Sequence, residues 1–578
     1  MRRLISIFIV FIISSCSENS NKTISSDLNE KIVQYIKDQT LANKIPNIKL
    51  KFGTDLQGLN LSKVDLSMVD LSNMNLSKSE FTSVKLAKAN ISNSNFSEVI
   101  FSDCDFSNAV MEHVIANDSQ FESVNFTQAT IAKSNFKSSS LDDSILLNVT
   151  SSQNIYDNAS FQRVKIDSST FTSDSFKESN LEKSDISASI LSGVALYGAD
   201  LAFSKISDVK FVDSFLESSD FSNAIVYKTT FQNISLEESI LKSASFDNVN
   251  FVQSVLKHLY AYASVISNST IASCDLSNAN LSNATILSTN VSDSTLTRVN
   301  FSSADISDFR LNNISGDYIL FDKTQISGMV SDLSVMPNVM FRDVKLSDFT
   351  ITNSKLDYAN FIKIECNNCK FNNVTFVRAL FKNSIFTKNN FSKIDFTQAA
   401  LLKSSFNNSN IDSVRMDYGQ LNKSSQTSST FTNILSTRNI VIDNSGLEIL
   451  EGNNSIRSLD LDPKGDYSFV NFTGLDFSKK QFQDANFSNA ILKQVKLEDA
   501  TFSNTVFQGT DFKAAIITRT KFLDCIFSKN YMISATIDDA VFDGSKISDI
   551  DFRETHITKY SAKNVILDNV VGNFTLTP

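Results

Sequence analysis

Cys366 and Cys369, in Cys366-Asn367-Asn368-Cys369, have the spacing of half a structural zinc site or of a dithiol. Zinc needs four ligands, so a second cysteine pair or nearby histidines would have to complete the set. The chain has three histidines, His113, His258 and His556, widely separated in sequence. Neighbouring carboxylates such as Asp142-Asp143 are the residue types of an acid/base pair or of Ca²⁺ ligands. No Walker-type phosphate loop and no dinucleotide fingerprint occurs, which leaves nucleotide chemistry unsupported. The 53 Lys and Arg stand against 63 Asp and Glu, a formal charge of −10 without any long acidic run. That balance gives no reason to expect nucleic-acid binding.

Whatever positions these residues repeats every five. From Leu56 to Leu421 every fifth residue is apolar except Ser151, Gly316 and Ser331, and a second series from Phe472 to Ile557 has no exception. A strand alternates with period 2 and a helix with 3.6, so neither keeps one side chain buried at steps of five. The backbone must turn a corner in each repeat. In a unit such as Ala89-Asn90-Ile91-Ser92-Asn93, the central residue and the one two before it are apolar or small and point inward. The other three positions carry Asp, Asn, Ser, Thr and Lys, which tolerate turns, and the chain has only 14 Gly and 4 Pro.

This register answers the metal question. Cys104, Cys274, Cys369 and Cys525 fall two before a repeat centre and Cys366 is itself a centre, so all five read as small core residues. A disulfide between Cys366 and Cys369 is the alternative in an oxidising compartment. The three histidines fall at outward positions and assemble no triad or cluster. Neither a metal nor a cofactor is expected, and Asp142-Asp143 reads as surface composition. Asn-X-Ser/Thr sequences such as Asn95-Phe96-Ser97 are products of the repeat.

Units such as Ala279-Asn280-Leu281-Ser282-Asn283 and Ala485-Asn486-Phe487-Ser488-Asn489 resemble the pentapeptide-repeat family. The resemblance implies an all-β fold, a right-handed quadrilateral parallel β-helix with one coil per four repeats. Columns at steps of 20 agree: Phe81, Phe101 and Phe121 share one, as do Phe301, Phe321, Phe341, Phe361 and Phe381. Most of the 47 Phe are therefore core filling, stacked in ladders.

At the N-terminus, Met1-Arg2-Arg3, the apolar run Leu4 to Ile13 and Ile13-Ser14-Ser15-Cys16 resemble a bacterial lipoprotein signal. The resemblance implies removal of residues 1–15 and lipidation of Cys16. The run is too short to span a bilayer, which needs roughly 20 apolar residues. Ser17 resembles the residue found in lipoproteins retained at the outer membrane of cells with two membranes. Residues 16–26 read as a tether and 27–54 as an N-terminal cap. Within that cap, Asp27 with Glu30 opens a short helix over about 27–40 that buries Ile32, Val33 and Ile36.

The main β-helix is expected over 55–426, with a bulged coil or loop between Gly316 and Pro337. Residues 427–471 read as an irregular excursion or joint, with a strand at Asn439 to Asp443 and a turn or short helix at Ser445 to Glu451. Ile456 and Leu461 keep the old phase and Phe472 starts a frame displaced by one residue, so 472–560 forms a second block. Residues 561–578, with Val565-Ile566-Leu567 and Val570-Val571, form a C-terminal cap or a surface for end-to-end homodimerisation.

The reading these features favour is a non-enzymatic scaffold, anchored in the cell-envelope membrane through lipid on Cys16, that presents regular faces to an envelope protein. The segment 427–471 is the leading partner site. Two other readings are an adhesin or glycan-binding surface lipoprotein, and a DNA-mimic protein that binds type II topoisomerases. The lack of Trp and the inward Phe count against the first, the mild charge and the export signal against the second.

Overall fold

The computed structural model describes residues 23–422, 424–432, 441–442, 463–465, 467–468, 472–572 and 574. The chain divides into two compact units, Met1–Asp200 and Leu201–Pro578.

The first unit opens with helix α1, Ser26–Leu41, whose N-cap is Ser25 accepting from the Leu28 N–H at 3.2 Å. The capping role expected of Asp27 thus belongs two residues earlier, and Asp27 instead pairs with Lys31 along the helix surface. Ile32 and Ile36 are fully buried, while Val33 is half-buried. A second helix, α2, Ile48–Phe52, was not expected from the sequence. It is capped by the Asn47 side chain and buries Ile48. The helices meet the open first coil: the Asn29 carboxamide accepts from the Asn60 N–H at 2.7 Å, and Ile24 N–H donates to the Gln57 carbonyl. Edge groups that would otherwise be unpaired are satisfied in this way.

Beyond α2 the chain climbs in coils of 20 residues. Leu61 pairs with Phe81, Phe81 with Phe101 and Phe101 with Phe121, all parallel. A second face pairs Met111 with Ile131, Ile131 with Ser151 and Ser151 with Phe171, and a third pairs Leu146 with Ile166. The fourth is a ladder of single bridges, Asp55 to Asn75 to Asn95 to Ile115. Four short sides per coil make the right-handed quadrilateral parallel β-helix. The residue two after each centre takes a left-handed backbone conformation, as at Asn93 (φ 57°) and Asn108 (φ 58°). No Val, Ile or Thr occupies that conformation among the described residues, as side-chain branching at Cβ requires.

Inside, Phe81, Phe101 and Phe121 stack at 4.9 and 5.0 Å between ring centroids. The position two before each centre is inward but often polar. On some faces its polar side chain accepts from the N–H 20 residues back and donates to the carbonyl 23 residues back, and elsewhere, as at Ser139 and Ser179, it donates to the carbonyl three residues back. Ser94 does both, from Met74 N–H (3.1 Å) and to the Leu71 carbonyl (2.6 Å), and so does Asn154, from Ser134 N–H (2.8 Å) and to the Ile131 carbonyl (2.9 Å). The sequence reading placed these residues inward as small side chains and missed their role in satisfying coil backbone.

In the second unit the ladder Phe301, Phe321, Phe341, Phe361 and Phe381 stacks at 4.7 to 5.0 Å with planes within 11°. The bulge expected between Gly316 and Pro337 is absent: strands 320–322, 325–327 and 330–332 sit in the same 20-residue register as their neighbours. Ser331 is buried between Leu311 and Ile351, because pairing on both sides imposes the register on a small side chain. The ladder also runs past residue 426, with 430–432 pairing to 410–412. Leu421 pairs with Ile442, 21 residues on. Ile456 and Leu461 lie outside the described residues, as does most of 427–471.

The stretch 463–574 begins before Phe472. Tyr467 is buried, five residues earlier, and its N–H donates to the Asn486 carbonyl at 2.6 Å. At the far end 566–571 pairs with 546–551, leaving Leu567 and Val570 half-buried. Phe574 stacks on Phe552 (4.8 Å) and Tyr560 (4.6 Å) and is itself buried.

Candidate functional site

The residues with the strongest chemistry in the sequence are sealed in the core. Cys366 and Cys369 are core residues, as their register implies, and are joined as the disulfide that the sequence left as an alternative, with Cα atoms 6.0 Å apart. Both are buried, Cys366 paired between Leu346 and Phe386. Cys104, Cys274 and Cys525 are buried free thiols, and burial pushes them up to about 11, 11 and 12. No group of three or more His, Cys, Asp or Glu among the described residues could hold a metal ion. His113 and His258 lie outward and face Glu112 and Glu237.

The Asp142-Asp143 pair is occupied by its neighbours in the next coil. Asp142 accepts from Ser160 Oγ (2.5 Å) and Gln162 N–H (2.9 Å). Arg163 grips Asp143 with two bonds of 2.7 Å and holds its carboxyl below the usual range. A general acid needs the opposite shift. The pair borders a shallow open depression lined by Asp118, Gln120, Ser138 and Ser140.

Among the described residues one carboxyl, Asp174, is shifted upward. Burial raises Asp174 to about 6, against hydrogen bonds that pull it down. It accepts from Asn154 N–H at 2.7 Å through Oδ1, while Oδ2 has no partner. Beside it Asn154 donates to Ser151 Oγ at 2.9 Å, and Ser151 Oγ lies 3.2 Å from the fully buried Tyr156 hydroxyl. Perturbed carboxyls often mark active sites, but this one is enclosed among stacked rings where no substrate reaches it.

What remains open to partners is the outside. Its charges pair across coils 20 residues apart: Arg163 with Asp143, Arg342 with Asp322 and Arg519 with Asp499. Tyr318, Tyr358 and Tyr418 lie about half exposed at left-handed corners. The sequence reading followed inward columns only and missed them; steps of 20 taken at the corner position would have found them. Cys16 and the signal-like segment lie outside the described residues. No described helix is long and apolar enough to cross a membrane.

A profile described as "Pentapeptide repeats" matches in eight copies, over residues 65–103, 104–143, 274–313, 364–401, 468–504, 481–519 and 496–529. No curated protein matches the chain. Among solved structures, a trypsin-treated form of QnrB1, a plasmid-mediated fluoroquinolone resistance protein, is 17% identical with a TM-score of 0.22, covering 28% of this chain and 82% of its own. HetL, a pentapeptide repeat protein involved in heterocyst differentiation regulation from the cyanobacterium Nostoc sp. strain PCC 7120, is 18% identical with a TM-score of 0.12, covering 47% and 93%. A variant of the alginate lyase AlyGC is 9% identical with a TM-score of 0.15, covering 90% and 95%. Overlays this poor transfer no function to the chain, and the fold rests on the pairing register.

Proposed function

Because the chain is built of pentapeptide repeats wound as a parallel β-solenoid, we propose that it is a non-enzymatic scaffold of the bacterial cell envelope. Lipid on Cys16 holds it to the membrane, and its regular outer faces engage an envelope protein. The observation that carries this reading is the fate of the reactive side chains. Among the described residues the free thiols and Asp174 are buried, and Asp142 and Asp143 are bonded to the adjacent coil. The anchor rests on the basic start, apolar run and small residues before Cys16. Residues 427–471, where the repeat breaks in the sequence, are the first candidate for partner choice.

The cross-coil pairs of Arg with Asp argue against a DNA mimic, which needs an unbroken negative face. The test is affinity capture from envelope fractions with the native chain, beside a Cys16→Ser form, read by mass spectrometry and membrane fractionation. The expected result is a membrane-bound wild type that recovers an envelope protein, and a released Cys16→Ser form. A soluble wild type without lipid would overturn the anchor, and a wild type that captures no envelope protein would overturn the scaffold.

A further inference from the structure

One corner of the second unit differs from the others in chemistry. Six successive coils place Tyr318, Asn338, Tyr358, Arg378, Gln398 and Tyr418 there, each two residues before a strand paired in 20-residue register from 320 to 420. All six take the left-handed conformation, with φ between 53° and 61°. The three tyrosines are 56%, 45% and 48% exposed, in a protein whose Phe residues mostly fill the core. Corner N–H groups bonded to the next coil fix the row: Tyr358 to the Val377 carbonyl (2.8 Å), Arg378 to Thr397 (2.9 Å), Gln398 to Asp417 (2.7 Å). The side chains are also tied together. Arg378 donates to the Tyr358 hydroxyl at 2.8 Å and to Gln398 Oε1 at 2.5 Å, and Asn338 donates to Asp317 at 2.8 Å.

We propose that this corner binds a linear, uncharged, β-linked glycan lying along the coil axis, about one sugar per coil. Spacing carries the argument first. Coils rise by the strand separation of ~4.8 Å, which places Tyr318 and Tyr358 ~10 Å apart and Tyr358 and Tyr418 ~14 Å apart. A coil step is close to the rise of one sugar in an extended β-linked chain, so each tyrosine meets a ring. Successive rings flip, so Tyr318 and Tyr358 meet one ring face and Tyr418 the other, and in an all-equatorial β-linked sugar both faces are apolar C–H surfaces. Chemistry carries it second. A tyrosine face takes the apolar face of a sugar ring, while the amides and guanidinium between tyrosines supply donors and acceptors for hydroxyl groups. Arg378 has five N–H donors and spends two of them on Tyr358 and Gln398.

Charge decides which polymer fits. Asp317, Asp357 and Asp417 each immediately precede a tyrosine of the row. A carboxylate beside every aromatic repels a phosphate backbone or a chain of uronates. A protein hot spot would cluster its aromatics, whereas these stand two and three coils apart. The inference goes beyond the scaffold reading and depends neither on the anchor nor on a protein partner.

The test uses the full chain in titrations with cellohexaose and chitohexaose, their disaccharides, and a hexauronate as the charged comparison. A neutral hexasaccharide should bind, and the matching disaccharide, which spans too few coils to reach two tyrosines, at least tenfold more weakly. Tyr358→Ala should weaken the hexasaccharide at least tenfold and Tyr358→Phe much less, while Tyr531→Ala in the later stretch leaves it unchanged. Circular dichroism of each variant confirms that the fold is intact. No binding of either neutral hexasaccharide, stronger binding of the hexauronate, or binding that survives Tyr318→Ala/Tyr358→Ala/Tyr418→Ala would each overturn the proposal.

Discussion

The core around Phe341 and the core around Asp174 obey one register and solve different problems. At Phe341 flat rings repeat coil upon coil, 4.8 and 4.9 Å from the rings of Phe321 and Phe361. At Asp174 a centre lacks its apolar side chain, Ser151, and the Tyr156 hydroxyl, Asn154 and Asp174 gather around the gap. The ring ladder asks only for size and flatness. A polar side chain two before a centre must find hydrogen-bond partners there, whereas Val84 or Ala89 needs none, and Asp174 can donate only when protonated. Register therefore sets burial, and burial sets the bonding that a polar side chain must find.

The sharpest way to break the first kind of core is a charge among the rings. Phe371 is buried and stacked on Phe391 at 4.7 Å, so Phe371→Asp should cost at least about 4 kcal/mol in urea unfolding. Asn373, exposed two residues on, should tolerate Asp with little change. Equal losses at the two sites would refute the assigned faces.

Asp174 sharpens the comparison through pH. Its folded value of about 6 lies above the unfolded 3.8, so the folded state holds the proton more tightly. Stability contributed by this group is present below about pH 4, declines as pH rises toward 6, and is absent above. The difference is on the order of 3 kcal/mol. Asp174→Asn supplies a permanent donor, as Asn154 and Asn389 do to the carbonyls of Ile131 and Cys366. The variant should be more stable than wild type at pH 7, with the gap closing below pH 4. A gap that does not change with pH would contradict this account.

Tyr156→Phe keeps the ring stacked between Phe136 and Phe176 and removes the hydroxyl near Ser151. A loss of about 1 kcal/mol is expected, read from the same unfolding curves. Arg163→Ala breaks an exposed ion pair with Asp143 and should leave the midpoint within error, as surface pairs usually do.

Much of this was written in the sequence because a five-residue period fixes which side chains face in. The Phe columns and the outward histidines follow from it directly. Other features do not, for physical reasons. The Cys366 to Cys369 bond depends on how closely two inward positions approach across a corner, which a period cannot report. Helix α2 has five residues and no room for a helical pattern. The stretch from Gly316 to Pro337 looked irregular because Gly316 and Ser331 lack apolar side chains, yet pairing above and below holds it in register. The tyrosine corner was legible at steps of 20 taken two after each centre, but the sequence reading followed only the inward columns.

The most direct test is thiol labelling of single cysteines placed at residues 370 to 374 and again at 390 to 394, in a Cys16→Ser background. The native free thiols Cys104, Cys274 and Cys525 are buried and should stay unreactive in the folded chain. The account predicts rapid labelling at 370 and 373 and protection at 371 and 374, repeated at 390, 393, 391 and 394. Labelling that alternates every second residue, or that differs between the two sets at these four positions, would contradict a square coil of four five-residue sides.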